Sequence, residues 1–406
     1  MKVPNHFKTM HRKQTSNNVS THRCWLMLLV LLFASMGTRA EDSIPAVNPD
    51  TITDENFVTA SLLLASPGDM LYACAGHCAL RMQCPTHKLD YVFSYESENY
   101  KTLVFKFLAG QLKMGMFAVP TQEYLDFYRK EERGVTEYIL NLPIEAKRNL
   151  WRVLDNHVME GVNLSFDYLV RGCAHSTLMM IKEGLDTIPL QYGPWPEKYE
   201  MMMRRELLGS QLDNALWHKC FLHLLGNGVI NDDCSIEDKV VVPIDLKDVL
   251  LNASVCGNKL VTEKPKELLP CNFHPHTLPV TPLMVGLVIL VLTIICTLLK
   301  NSIMDYVLLI IQAILGLFTM YLVFVSSLVG TESNWHLVPF NILPLLFWNW
   351  RTYWCLPYAI VLAIWVLAMI LYPHEMTDTA YLLLSTSFIV SYVNIYLTSR
   401  NNKKYS

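Results

Sequence analysis

The sequence predicts an α+β domain outside the cytoplasm, followed by a bundle of membrane-spanning helices. Two observations carry this prediction. Charged residues crowd positions 41 to about 278 and nearly vanish from 281 to 398, although the chain as a whole is 52% hydrophobic and 17% charged. Within the charged half, apolar residues switch between short strand-like runs and a helical period.

The N-terminus places that half outside. Residues 1–23 are basic with no acidic side chain, CWLMLLVLLFASMG follows, and Thr38 and Ala40 sit where a signal peptidase needs small residues. Residues 1–40 are therefore expected to be a signal peptide, and 41–278 an exported domain large enough to bury its own core. An uncleaved anchor is the alternative, and it exports the same residues.

Inside that domain LYACAGHCALRM, LDYVFSY, KTLVFKFL and VTEYILNL are expected as strands, being short, aromatic and aliphatic, and separated by polar breaks. The run 143–160 is expected as a helix, with Leu150, Val153, Leu154 and Val158 on one face behind a first-turn Pro143. AHSTLMMIKEGL also reads as helix, which puts Cys173 at its N-terminus. More helix is expected over 197–225, and the proline-bearing EKPKELLPCNFHPHTLP leads to the membrane half.

There, residues 283–299, 306–330, 355–373 and 380–397 have the length, or nearly the length, and apolarity of spans. The segment 337–350 is short and carries Pro339 and Pro344. Counting it as an irregular fifth span puts Lys300, Arg351, Arg400, Lys403 and Lys404 on the cytoplasmic side, as the positive-inside rule asks. Residues 281–398 are thus expected as five spans and 399–406 as a cytoplasmic tail. With no charged pair deep in a span, no ion or proton pathway is expected.

The sequence has no nucleotide loop, HExxH, calcium loop or GxSxG. Cys74, His77, Cys78 and Cys84 lack the second half of a ligand set, and export favours disulfides, so no metal is expected. Eight cysteines fall in the exported part, at 74, 78, 84, 173, 220, 234, 256 and 271. Counting alone favours four disulfides, Cys173 included, with Cys220–Cys234 and Cys256–Cys271 closing short loops. The other reading leaves Cys173 a free thiol with His77 as its base. A helix N-terminus favours thiolate over thiol, and its backbone N–H groups at Cys173 and Ala174 can cradle an oxyanion.

A set of short motifs resembles a known family. Gly76, His77 and Arg81, then Asp90 in LDYVFSY, VFKFLAG with Gly110, Leu140-Asn141-Leu142, and Cys173 are similar to the pattern of the Lnb-type lipoprotein N-acyltransferases of Gram-negative bacteria. Tryptophan- and proline-rich spans follow in that family too. The His-before-Cys order is also similar to the lecithin:retinol acyltransferase and permuted NlpC-type folds. Arg171-Gly172 stands where the family has Asp-Asn, and SYE where it has Asn-Tyr-Gly.

The resemblance implies a papain-like (permuted NlpC-type) periplasmic domain followed by a transmembrane bundle, in a bacterial inner membrane. It implies an acyl chain passing from a membrane phospholipid to the Cys173 thiolate, and then to the N-terminal amine of a diacylglyceryl-cysteine lipoprotein, with no cofactor. His87, Asp90 and Tyr95 are the candidates to orient His77; His175 is expected to point away along its helix. An NlpC-type wall peptidase or amidase, and a non-catalytic adaptor held by four disulfides, are the alternatives.

Overall fold

Short apolar runs in the exported half pair into a seven-stranded antiparallel sheet, and three short strands form a second one. A computed structural model describes residues 58–97, 103–194, 209, 211–226, 235–274, 278–371 and 377–404. The expected signal peptide lies outside these residues.

The first half contains β1 (Thr59–Ala65), β2 (His77–Cys84), β3 (Leu89–Glu96), α1 (Leu103–Leu108), β4 (Lys113–Pro120), α2 (Thr121–Lys130) and β5 (Val135–Ile139). Next come α3 (Ile144–Glu160), β6 (Val162–Ser165), α4 (Cys173–Leu185), β7 (Leu190–Gln191), α5 (Leu216–Leu225) and α6 (Pro243–Asn252). The short strands β8 (Ser254–Val255), β9 (Asn258–Lys259) and β10 (Lys266–Leu269) close the domain. The helical half holds α7 (Pro282–Leu298), α8 (Ile303–Phe324), α9 (Leu343–Leu346), α10 (Arg351–Leu371) and α11 (Thr379–Lys404).

The main sheet has the order β10-β5-β1-β2-β3-β4-β6. Leu62, Leu80, Met82, Phe93, Tyr95 and Met116 face Leu150 and Leu154 of α3 and Leu178 and Ile181 of α4. Leu63, Ala65, Ala79, Val92 and Val119 line the other face under Tyr124 and Tyr128 of α2. Burial on both faces explains why TASLLLA is a continuous apolar run instead of an alternating one.

The helices over 144–160 and 173–185 and strands β2, β3 and β5 form where the sequence places them. KTLVFKFL does not form a strand. The place beside β3 is taken by β4, paired Val92 to Val119, and β4 is flanked on its far side by β6. Leu103–Leu108 coils instead, and Phe107 packs beside Cys74, Leu112 and Leu322. Of the helix expected over 197–225, Leu216–Leu225 is found among the described residues; 197–208 and 210 lie outside them.

By length and composition α8, α11 and the run Trp348–Leu371 can each cross a membrane; α7 is a shorter apolar helix. Residues 335–350 do not form one continuous helix: two 3-10 turns, Trp335–Leu337 and Trp348–Trp350, bracket the four-residue α9. Backbone freed at such a break must be satisfied by protein. Gln312 Nε2 donates to Pro339 O (2.6 Å), Thr319 Oγ1 to Phe340 O (2.8 Å) and Tyr358 OH to Val338 O (2.8 Å). Gly316 permits the approach, since a Cβ there would lie 2.5 Å from the Asn341 carbonyl carbon.

The two halves share cores. On one side of α5, Leu222 and Leu225 pack with Phe107, Leu169, Leu322 and Leu328; on the other, Cys220 and Leu224 pack with Met304, Leu308 and Phe388. Tyr381 OH donates to Cys220 O (3.0 Å), and Asn334 Nδ2 to Leu224 O (2.8 Å). Just past α8, Ser326 Oγ donates to Leu108 O (2.6 Å) and Ser327 N to Ala109 O (3.1 Å).

Candidate active site

The loop before α4 fixes where that helix begins. Asp167 Oδ1 accepts from Leu169 N (2.8 Å) and Val170 N (3.0 Å), and Asp167 and Arg171 exchange backbone hydrogen bonds, so the chain reverses. Gly172 then enters extended, at φ −79° and ψ −179°, and Cys173 is the first helical residue. The first intrahelical bond is Ser176 N to Gly172 O (3.0 Å), leaving the N–H groups ahead of it outside the helical ladder. The loop is hooked to the membrane half as well, through Val329 N donating to Asp167 Oδ2 (3.3 Å).

β2 brings two residues to that helix start. Cys173 is half-buried, and its sulfur interacts electrostatically with the His77 imidazole and with Cys78. Cys78 is fully buried, with its Sγ also 3.6 Å from Thr177 Oγ1, one helical turn beyond Cys173. His77 Nε2 lies 2.7 Å from Ser94 Oγ, Ser94 Oγ donates to Glu96 Oε1 (3.0 Å), and Glu96 Oε1 is 3.5 Å from Nε2. This relay fixes the tautomer: Ser94 gives its proton to Glu96, so it accepts from Nε2–H, and Nδ1 is the nitrogen left for the thiol.

The charges follow. The hydrogen bond from Cys78, acting against burial and with the charge of His77, holds the Cys173 thiol well below the usual thiol range. Burial opposes charging of His77, but the Cys173 sulfur and Glu96 outweigh it and raise the imidazole to about 10. Burial and the neighbouring Cys173 sulfur push Cys78 up, so it stays a protonated donor. Both shifts favour a thiolate beside an imidazolium, at the first residue of a helix. Such a pair can attack a carbonyl carbon.

Other expected site residues lie elsewhere. Asp90 is clamped by Arg81, with Nε to Oδ1 and Nη2 to Oδ2 both at 2.7 Å, and by Thr121 Oγ1 at 2.5 Å. Arg81 also reaches Glu137 Oε1 (2.9 Å), tying β3, β2 and β5 together. Tyr95 points to the opposite face of β3 from Ser94, into the core, where burial pushes its phenol up. His87 sits past the far end of β2, roughly 25 Å from His77 at strand rise. Neither Asp90 nor Tyr95 touches the imidazole; Ser94 and Glu96 do. Ala174 is fully buried directly after the thiol, and His175 Nδ1 is turned to Glu237 O (3.2 Å).

The cysteines correct a further expectation. Every cysteine among the described residues is a free thiol. Cys256 is exposed at the β8–β9 turn, whereas Cys271 follows β10 beside Ser66, at the edge of the main sheet, so the two do not pair. Cys220 is buried against the membrane half, and Cys234 lies outside the described residues. Cys74 turns to Leu71 O (2.9 Å) and Cys84 ends the far side of β2, so these do not converge with Cys78 on a common ligand site.

Fold and site together define a sheet-and-helix domain with a Cys–His pair, joined to apolar helices able to cross a membrane. Two comparisons say which one. Residues 48–196 match the Lnb N-terminal periplasmic domain and residues 274–402 the Lnb transmembrane domain, together about two thirds of the chain. The chain belongs to the Lnb family, as a membrane protein with a periplasmic domain. No curated protein and no solved structure matches it. The Cys173, His77, Ser94 and Glu96 group lies wholly within the first matched segment, while α5 and α6 lie between the two.

Proposed function

We propose that this protein is a lipoprotein N-acyltransferase of the bacterial inner membrane, working through an S-acyl intermediate on Cys173. The carrying observation is the Cys173 sulfur at a helix N-terminus, in electrostatic contact with a His77 imidazole whose Nε2 is held by Ser94 and Glu96. The His-before-Cys order, with an antiparallel sheet backing the helix that starts at the cysteine, supports a papain-like, permuted NlpC-type domain.

In the first step the thiolate attacks an ester carbonyl of a glycerophospholipid. The oxyanion takes hydrogen bonds from the N–H groups at Cys173 and Ala174. Collapse breaks the ester C–O bond, and the leaving alkoxide takes the proton from His77 Nδ1, giving a lysophospholipid and a thioester. In the second step the neutral amine of a diacylglyceryl-cysteine attacks the thioester, Nδ1 takes its proton, and Cys173 departs as thiolate with the Cys78 S–H bonded to it. Ser94 and Glu96 are positioning residues that hold the ring and support its charge.

The same reading assigns 1–40 as signal peptide, 41–278 as the periplasmic domain, 281–398 as five crossings and 399–406 as a cytoplasmic tail. The broken 337–350 segment completes the fifth crossing, sheltered by Gln312, Thr319 and Tyr358. Mass spectrometry of lipoprotein N-termini from cells with and without the gene tests the activity: the N-acyl mass should vanish in the deletion and return with the wild type. Unchanged N-termini would reject it.

A further inference from the structure

The junction between the two halves exposes more apolar surface than its packing requires. Phe105 is 76% exposed, Val104 49%, Leu216 41% and Trp217 42%. All four lie beside points where apolar helices begin or end. Leu108, the last residue of α1, and Ala109 after it accept hydrogen bonds from Ser326 and Ser327, just past α8, and Trp217 Nε1 donates to Val280 O (2.8 Å), just before α7. A helix of this length measures about 9 Å, so Val104 and Phe105 stay close to the outer end of α8.

The other side of these elements is accounted for. Phe107 and Leu108 of α1, and Leu222 and Leu225 of α5, pack in one cluster with Leu322 and Leu328. The turn bearing Met70 and Tyr72, 58% and 50% exposed, packs on the same cluster through Leu71 and Cys74 and runs directly into His77. By contrast Met159 is 83% exposed at the end of α3, a helix that packs on the sheet. It is an isolated surface residue, whereas the junction residues form a group continuous with α7 and α8. Aromatic residues next to a lysine, as Phe105 is next to Lys106, suit the lipid headgroup level.

We propose that Met70, Tyr72, Val104, Phe105, Leu216 and Trp217 form an apolar collar seated in the headgroup–acyl boundary of the leaflet facing the exported domain, with the bilayer's own lipid as its occupant. The collar holds the mouth of the Cys173 site at the depth of phospholipid ester carbonyls; that consequence, unlike the collar itself, rests on the acyl-transfer reading.

The test uses the full chain in nanodiscs of phosphatidylethanolamine and phosphatidylglycerol, doped with a phospholipid carrying a diazirine near its glycerol. After photolysis and peptide mapping, residues 104–105 and 216–217 should carry several-fold more lipid label than Met159. Label at 104–105 no higher than at Met159, or crosslinks there to a protein instead of lipid, overturns the collar. Phe105→Glu, which disturbs no buried residue, should lower acyl loading of Cys173 from bilayer phospholipid several-fold and leave loading from a soluble short-chain thioester unchanged. An equal loss with both donors overturns the collar's part in substrate delivery. Failure of wild type to load from either donor rejects the acyl-transfer reading, and the lipid labelling still decides the collar.

Discussion

At the scale of single residues, Cys173 is surrounded by groups that favour its thiolate. Its alkylation by iodoacetamide should therefore stay fast well below the ordinary thiol range near 8.5. The sign follows from the two shifts. Cys173 is held low, so the thiolate persists as pH falls until its own depressed pKa is passed; His77 is raised to about 10, so the imidazolium supports it until pH rises through that value. His77→Ala should move the alkylation profile upward in pH, and Cys78→Ala should move it in the same direction by removing the S–H donor. A profile unchanged in both variants would show that neither group charges the sulfur. The placing of Cys173 at a helix start and of His77 on a strand was legible in the sequence, although cysteine counting favoured a disulfide for Cys173. Ser94 and Glu96 were not, since their role depends on the β2–β3 register. Continuing Leu80 opposite Phe93 sets His77 across from Glu96. Asp90 looked equally suitable, but it is the partner of Arg81.

Among the elements, the long periodic ones were the readable ones. α3 and α4 follow from spacing, whereas KTLVFKFL has strand composition and became α1 because the sheet position was filled by β4 and the segment found apolar partners at α8. A local pattern carries no information about such competition. The α1–α8 contact depends on Gly110, which has φ +68° and would place a Cβ 2.3 Å from the Ser327 carbonyl carbon. Gly110→Ala should therefore destabilise the protein by about 1–3 kcal/mol, seen as a lower thermal midpoint in detergent. An unchanged midpoint would mean that the junction is not tightly packed there. Similarly, helix was expected over 197–225, and only the three-dimensional packing reveals that α5 joins two apolar clusters.

For the molecule as a whole, the asymmetry of charge foretold the division into two halves and the helical nature of the second. It did not foretell how firmly they share cores, nor that Cys256 and Cys271 stand apart, because contacts between distant segments leave no local signature. If Arg351, Arg400, Lys403 and Lys404 lie in the cytoplasm, a phosphatase reporter active only outside it should be silent when fused after Ser406. Activity there would exclude five crossings. The central claim is chemical and has a covalent signature. Incubated with phospholipid and no amine acceptor, the purified protein should gain one acyl mass on the Cys173 peptide, removable by neutral hydroxylamine and absent in Cys173→Ala. No adduct on the wild type, or a hydroxylamine-labile adduct that persists in Cys173→Ala, would contradict the account.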